Sequence, residues 1–510
     1  MLSSNVIWVA FGCYIVFLLS VAYYVTRKEK RAKSTGNMNT AKVSAPGLIM
    51  TYAASLMSTW VFFAGPGAYS RGGIGYWISE MSYIALFPLV AHFSMNKVWI
   101  INREKGHSFE TPADFYYERY RSKLLTFILG CIFLSASLPY VTSVLVAIAN
   151  AAQYATGGHI SYRLAVFVVG LTMTIFVCIG GVKSAALADT VQGILFILML
   201  WVIALACLGV GFGGSLPKAV THLYSNTPEF FSYPGPGGWT TYGSRFGYPF
   251  SCAIGWTIML PHVFVRSGYF GDNLKTQRRL SFYTPIIQAV VWTGCMLIGL
   301  IGLSLAPGLK SSVTELIIPY LVKHYVLKFS SGLAAFLMVG FFLGANAVGL
   351  STANAFLSVS SAMVKKDILQ VSFGMNINKN NQNEVTRIII LILGISSTLM
   401  ALNPPGLIFT LIMFAIAMVM PLFPILMFGI YWKRATKEAA IISAIVGTVL
   451  VLLTYTVWNV GNTYYGAFGL IGSTITMIVV SLLTKERPED SKEFYQLLDK
   501  GHQRYYDVQE

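Results

Sequence analysis

The stretch Ala54-Ser55-Leu56-Met57-Ser58-Thr59-Trp60, followed by Gly65-Pro66-Gly67, decides the fold. It lies inside an apolar segment long enough to cross a bilayer. Lipid offers no hydrogen bonds, so a helix breaks at that depth only where its freed backbone groups find other partners. Secondary transporters use such breaks to hold a solute and a coupling ion near the midplane. A second intramembrane stretch, Gly344-Ala345-Asn346-Ala347-Val348-Gly349-Leu350-Ser351-Thr352, supplies two adjacent hydroxyls.

Composition agrees with a membrane setting. The 510 residues are 55% hydrophobic and only 11% charged, where a soluble chain carries roughly a quarter charged residues. The net charge of +16 reads as the cytoplasmic excess of Lys and Arg on a polytopic protein. No basic stretch is interleaved with aromatics, so a nucleic-acid partner is not expected. Cys13, Cys131, Cys178, Cys207, Cys252 and Cys295 all lie in apolar segments without a CxxC pair. They read as small buried hydrophobes.

Thirteen segments are candidates for crossing: 5–26, 45–70, 76–96, 124–153, 163–181, 184–211, 246–267, 282–306, 330–363, 387–403, 405–431, 438–458 and 466–484. The expected fold is an all-α polytopic membrane protein. Met1 to Asn5 is uncharged and the cluster Arg27-Lys28-Glu29-Lys30-Arg31 follows the first apolar run. That order is unlike a cleaved signal and places the N-terminus outside. Threaded so, 29 of the 36 Lys and Arg fall inside and 7 outside. The expected location is the plasma membrane, with a cytoplasmic C-terminus.

Between the crossings, 106–123 reads as a cytoplasmic loop with a short helix capped near Thr111-Pro112. Residues 212–245 read as a Gly- and Pro-rich external loop, and 312–327 as an external amphipathic segment. The tail, 485–510, is polar and too short to fold alone. A second interrupted helix, 246–267, carries Gly255-Trp256-Thr257 and Pro261-His262. The two interrupted helices begin two five-helix units, 45–211 and 246–431, of opposite direction. Paired interruptions in matching positions point to an inverted-repeat transporter core spanning 1–484.

The chain resembles the sodium:solute symporter family over nearly its whole length. Gly180-Gly181 with Asp189 and Gln192, Ser351-Thr352 fifteen residues before Asp367, Thr111-Pro112-Ala113-Asp114-Phe115 and Leu260-Pro261-His262 carry the resemblance. The Ala54–Ala68 segment is similar to proline permeases. Leu260–Arg266, Asn403-Pro404-Pro405 and Tyr431–Ala435 are closer to pantothenate and monocarboxylate permeases. The resemblance implies a sodium site built from the carbonyls of Ala54, Met57 and Val348 and the hydroxyls of Ser351 and Thr352. Oxygen ligands from an unwound helix suit a hard cation. The alternative is that both hydroxyls bond back to their own helix.

Leu56 stands where proline-type members have Asp, which weakens the proline reading. Asp189 is implied on the ion's exit path; the alternative is a helix N-terminal acid near Lys183. A second sodium site would need hydroxyls where this chain has Asn354 and Ala355. The solute is expected beside the sodium, lined by Ser58, Thr59, Trp60 and Phe62, by Trp256 and Thr257, and by Tyr140. Glu80 and His262 read as local structure. The function expected is sodium-coupled import of a small carboxylate such as pantothenate or a monocarboxylate. Its rivals are proline or another amino acid, proton coupling, and a transporter-like sensor. No nucleophile motif, phosphate loop or ion-filter repeat suggests an enzyme or a channel.

Overall fold

The computed structural model describes residues 4–34, 45–232, 235–236, 249, 251–271, 273–458, 465–485 and 488–506; side chains 180–189 and several in 7–34 are outside that description. Among the described residues every regular element is helical. Among the described residues, ten helices are long and apolar enough to cross a membrane. The other three expected crossings are α1 (Ser4–Ser34) and the two broken helices.

The first broken helix begins as α2 (Ala45–Leu56). The chain leaves helical geometry at Ser58 (φ −116°, ψ −168°), makes a tight turn over Thr59–Phe62, and restarts as α3 (Ala64–Phe93). The Ser58 hydroxyl accepts the Trp60 amide at 3.2 Å, a local cap that explains a serine at the break. Pro66 falls in the first turn of α3, where a missing N–H has no intrahelical partner to lose. Within α3, Gly73 adopts φ 64° and ψ −157°. A Cβ there would stand 2.2 Å from the Phe230 carbonyl oxygen, so only glycine fits. This turn separates the far half of the broken helix from the next crossing, which continues into α4 (Met95–Glu104).

The short helix expected near Thr111-Pro112 is α5 (Pro112–Tyr120), capped reciprocally by Thr111 and Asp114. Then follow α6 (Lys123–Ala155) and the segments α7 (Tyr162–Ile179) and α8 (Thr190–Phe212). The loop expected over 212–245 contains α9 (Leu216–Asn226). Its remainder at 233–234 and 237–245 lies outside the described residues.

The second broken helix comprises α10 (Cys252–Met259), a widened helix, and α11 (Pro261–Tyr269). Its only non-helical joint is Leu260 (φ −58°, ψ 132°). The expected interruption at Gly255-Trp256-Thr257 is therefore corrected: these residues sit in continuous helix, and the break falls at Leu260, before Pro261. Proline disfavours α geometry in the residue before it, which fixes the joint there. Gly255 serves packing instead, since a Cβ would meet Ile416 Cγ2 at 2.5 Å.

The chain continues as α12 (Leu274–Leu305), two short turns (Ser311–Thr314 and Ile317–Leu321), α13 (Ser331–Ala362), α14 (Gln382–Leu402), α15 (Ile408–Val419), α16 (Leu422–Tyr431), α17 (Lys437–Thr456) and α18 (Tyr465–Leu483). Contacts fix the directions. Tyr162 Oη donates to Ala401 O at 2.7 Å and Cys178 Sγ reaches Arg387 O at 3.8 Å, so α7 is antiparallel to α14. Leu200 packs at Gly294 and Leu305 at Gly211, so α8 runs parallel to α12. Phe167, Leu171, Ile175 and Ile179 are exposed at four-residue spacing along α7, a lipid-facing stripe.

The tail forms α19 (Pro488–Tyr505), a helix laid across the basic end. Phe494 meets Phe115 at 5.5 Å between ring centroids, Trp99 meets Tyr505 at 5.2 Å, and Tyr495 Oη donates to Gly429 O at 3.0 Å. Too short to fold alone, it is folded by what it packs on. Beneath it, buried Arg119 donates Nε to Gly429 O at 2.7 Å and Nη2 to Ala435 O at 3.1 Å. It thereby supplies donors and positive charge to the carbonyl end of α16.

Candidate functional site

When α2 ends, its last carbonyls lose their intrahelical donors. Three of those near the break are taken by side chains from elsewhere. Ser55 O pairs with His262 Nε2 at 3.1 Å, Leu56 O accepts Trp256 Nε1 at 2.8 Å, and Met57 O accepts Thr352 Oγ1 at 2.9 Å. The second broken helix and α13 thus close on the end of α2. Arg266 Nη1 adds a bond to the Ser55 hydroxyl.

Thr352 Oγ1 also stands 3.0 Å from Val348 O, and Ser351 Oγ is 3.0 Å from the same carbonyl. Back-bonding to the parent helix and contact across to the break are therefore both present. Met57, Val348, Ser351 and Thr352 are brought together, all buried. Ala54 is buried one turn earlier, in the last turn of α2. Its carbonyl takes no hydrogen bond from the described break residues. The donor set is uncharged oxygen, with no nitrogen or sulfur in it, which is the chemistry a hard, weakly charged cation takes. Close approach depends on Gly349: a Cβ there would meet Thr59 Cγ2 at 2.9 Å and Val144 Cγ1 at 3.0 Å.

The residues expected to line a solute are all buried, and they divide into groups. Trp60 meets Trp256 edge-on at 5.2 Å and Phe409 at 5.2 Å. Tyr140 packs on Phe356 at 4.5 Å and on His262 at 6.3 Å. Phe62 turns toward Phe341 of α13 at 6.1 Å and fills the space left by Gly344. Thr257 has its hydroxyl on Ala253 O and its carbonyl on Tyr52 Oη, each at 2.5 Å. Its polar groups are thus engaged within the protein. Thr59 Oγ1 and Trp60 Nε1 are buried without a hydrogen-bond partner, and Tyr140 Oη has the Ser58 hydroxyl beside it. These orphaned groups, with the Ser58 hydroxyl, are what a polar solute could satisfy.

Asn354 is buried and its Oδ1 has no partner, while Ala355 beside it offers nothing polar. The side chains of Asp189 and Lys183 lie outside the described residues. Glu80 is buried near Tyr69, Tyr83 and Cys295, whose Sγ donates to Val61 O of the break at 3.2 Å.

Sequence reasoning missed Arg266 and Glu315. Glu315, in the turn between α12 and α13, is buried and accepts the amides of Ile408 at 3.2 Å and Phe409 at 2.9 Å. Burial pushes its carboxyl above the ordinary range, and the Phe409 amide and Arg71 work against that shift. The available signal was one acid isolated in the apolar run Ser312–Leu321.

Comparison with known proteins supplies a frame for this geometry. Residues 41–447 match the sodium:solute symporter family. A sodium/pantothenate symporter of Haemophilus influenzae is 27% identical over 486 residues, covering 94% of this chain and 96% of that one. The osmoregulated proline transporter OpuE of Bacillus subtilis is 24% identical over 518 residues, covering 96% and 98%. A sodium-coupled sialic acid symporter, solved in a substrate-bound outward-open state, superposes with a TM-score of 0.76 at 18% identity, covering 94% and 98%. That likeness shows the fold.

Proposed function

The chain belongs to the sodium:solute symporter family, and from that premise we propose that it imports a small organic carboxylate, such as pantothenate or a monocarboxylate, with one sodium ion. The observation that carries the sodium site is Thr352 Oγ1, set 2.9 Å from Met57 O and 3.0 Å from Val348 O. A hydroxyl has one hydrogen and two lone pairs. With that hydrogen on Val348 O, the lone pairs of Thr352 and the carbonyl of Met57 are free for a cation. Ser351, Val348 and Ala54 complete a five-oxygen set.

Filling this set ties the end of α2 to α13 and fixes the turn that presents Ser58, Thr59 and Trp60. In this reading the repeats, about 45–211 and 246–431, then rock against each other, and sodium leaves past Asp189. The N-terminus lies outside and the C-terminus in the cytoplasm, as the 29 to 7 division of basic residues favours. Leu56, buried where an acid would add charge, favours a carboxylate over an amino acid. Two pantothenate symporters among the relatives point the same way. Proline is the rival, since proline transporters are relatives too.

Uptake into proteoliposomes, screened over carboxylates and amino acids with and without a sodium gradient at fixed pH, tests the reading. Sodium-driven pantothenate or lactate uptake is expected. Uptake that follows a proton gradient alone, or serves only amino acids, overturns it. One sodium with a monoanion moves no net charge, so uptake is expected to be insensitive to membrane potential.

A further inference from the structure

A cavity lies beyond the first break, beside the Gly73 turn. Its volume is about 220 Å³, and its lining includes Ser70, Arg71, Phe230, Leu309, Thr314 and Ile317. Its walls mix polar and apolar surface: the Arg71 guanidinium, small hydroxyls and backbone groups stand beside Leu303, Leu309 and Ile317. The cation is Arg71, two turns beyond the break on the same chain segment. Both of its hydrogen bonds among the described residues leave through Nη1, to Ser311 O at 3.5 Å and to the Thr314 hydroxyl. A guanidinium has five N–H donors in a planar fork, so Nε and the second amino group keep donors for the cavity.

The nearby acid does not take them. The oxygens of Glu315 are held by the Ile408 and Phe409 amides, at the positive end of α15. Arg71 feels that carboxylate as a neighbouring charge and is not ion-paired with it. The walls are fixed as well. The Phe230 backbone is seated on Gly73. Gly67 lets the Thr314 carbonyl approach to where a Cβ would be 2.7 Å away. The arrangement is a small chamber of mixed polarity with one forked cation at its edge.

The geometry points to this cavity as a docking site for the carboxylate of the solute, with Arg71 as its anchor, used before the anion reaches the break. This deepens the carboxylate reading above and rests on it for direction. Bidentate pairing with a carboxylate is what a guanidinium recognises better than an ammonium. The hydrophobic side chains in the walls would accept the apolar part of such an anion, and the polar groups its hydroxyls. The unpartnered donors would hold it without sodium.

The test uses the full chain, purified, in sodium-free potassium buffer, with potassium pantothenate as probe and neutral panthenol as its control. Saturation-transfer NMR is expected to show pantothenate binding that weakens about tenfold in R71Q, is partly kept in R71K, and is matched poorly by panthenol. R163Q removes an exposed cation that does not line the cavity and is expected to bind within about twofold of the wild type. Equal binding by R71Q and the wild type overturns the proposal, as does an R163Q loss as large as that of R71Q. So does equal binding of panthenol. Normal sodium-free binding with no sodium-driven uptake of pantothenate would sink the transport reading and leave the docking site standing.

Discussion

Where the first helix ends, the two broken helices take opposite sides of the hydrogen bonds that join them; one turn earlier Tyr52 Oη donates the other way, to Thr257 O. The first offers acceptors to the second at Ser55 O and Leu56 O, and to α13 at Met57 O. The second offers donors: Trp256 Nε1, the His262 ring and, farther along, Arg266. Their joints differ in the same sense. The first spans several residues from Met57 to Phe63, whereas the second is the single residue Leu260, whose own amide is held by Gly255 O at 3.0 Å. A break that presents carbonyls can exchange a side-chain donor for a cation. A break that presents N–H groups and closes on itself acts as a brace.

The sharpest way to break this comparison is Ser351→Ala with Thr352→Ala. Sodium stimulation of uptake should disappear while the protein still reaches the membrane at normal abundance. Unchanged sodium dependence in a well-expressed double variant would remove the ion from the first break. Asp189→Asn should come next: turnover falls more than equilibrium sodium binding does. If binding falls as far as in the double variant, Asp189 is a ligand rather than a station on the exit path.

Much of this site was legible because its chemistry is unusual for its place. Small polar residues and glycines in an apolar segment are costly without a use, so the break near Met57 and the hydroxyls at Ser351 and Thr352 stood out. The helix at Pro112 was legible from its capping residues. The exact joint of the second break was not, because Gly255 and Pro261 are both helix breakers on paper. Packing against Ile416 accounts for the glycine, and only the proline breaks the helix. Arg119 and Glu315 were illegible because their partners are backbone groups up to 316 residues away, which carry no sequence signature, and Arg266 because its partner is one serine hydroxyl 211 residues away. The tail helix was missed because its order comes from α4, α5 and α16 rather than from itself.

Gly349→Ala sharpens the comparison at intermediate size. The added methyl would press on Thr59 at 2.9 Å, and overpacking costs about 1–3 kcal/mol. Sodium half-saturation in uptake should rise about tenfold, with little change in expression. Trp256→Phe tests the brace. It leaves the Leu56 carbonyl without its donor, a loss of about 1–3 kcal/mol, read as a fall of several degrees in thermal midpoint. Sodium half-saturation should stay within about threefold. A collapse equal to that of the hydroxyl variant would show that the second break holds the ion as well.

The smallest effect belongs to the basic end. Glu493 bonds Lys105 at 2.7 Å and Arg121 at 2.7 Å. The Lys105 hydrogen bond holds its carboxyl below the ordinary range. Its contribution is therefore complete above the unfolded carboxylate pKa and is lost as pH falls through the lowered one. Exposed pairs of this kind contribute about 0–1 kcal/mol. Limited proteolysis should find Glu493→Gln only slightly more open at pH 7 than the wild type, with the difference vanishing in acid. A tail released outright by this substitution would mean that ion pairs, and not Phe494 and Tyr495, hold it.

The tail helix has a mechanical corollary. It is fastened at once to α4 and α5, which precede the second break, and to α16, which follows it. Any motion that separates those groups must stretch, tilt or shed it. Asp499 is exposed on its outer face, so a fluorophore there would ride on the moving parts without touching the permeation path. The helix is a ready-made strain gauge for the transport cycle.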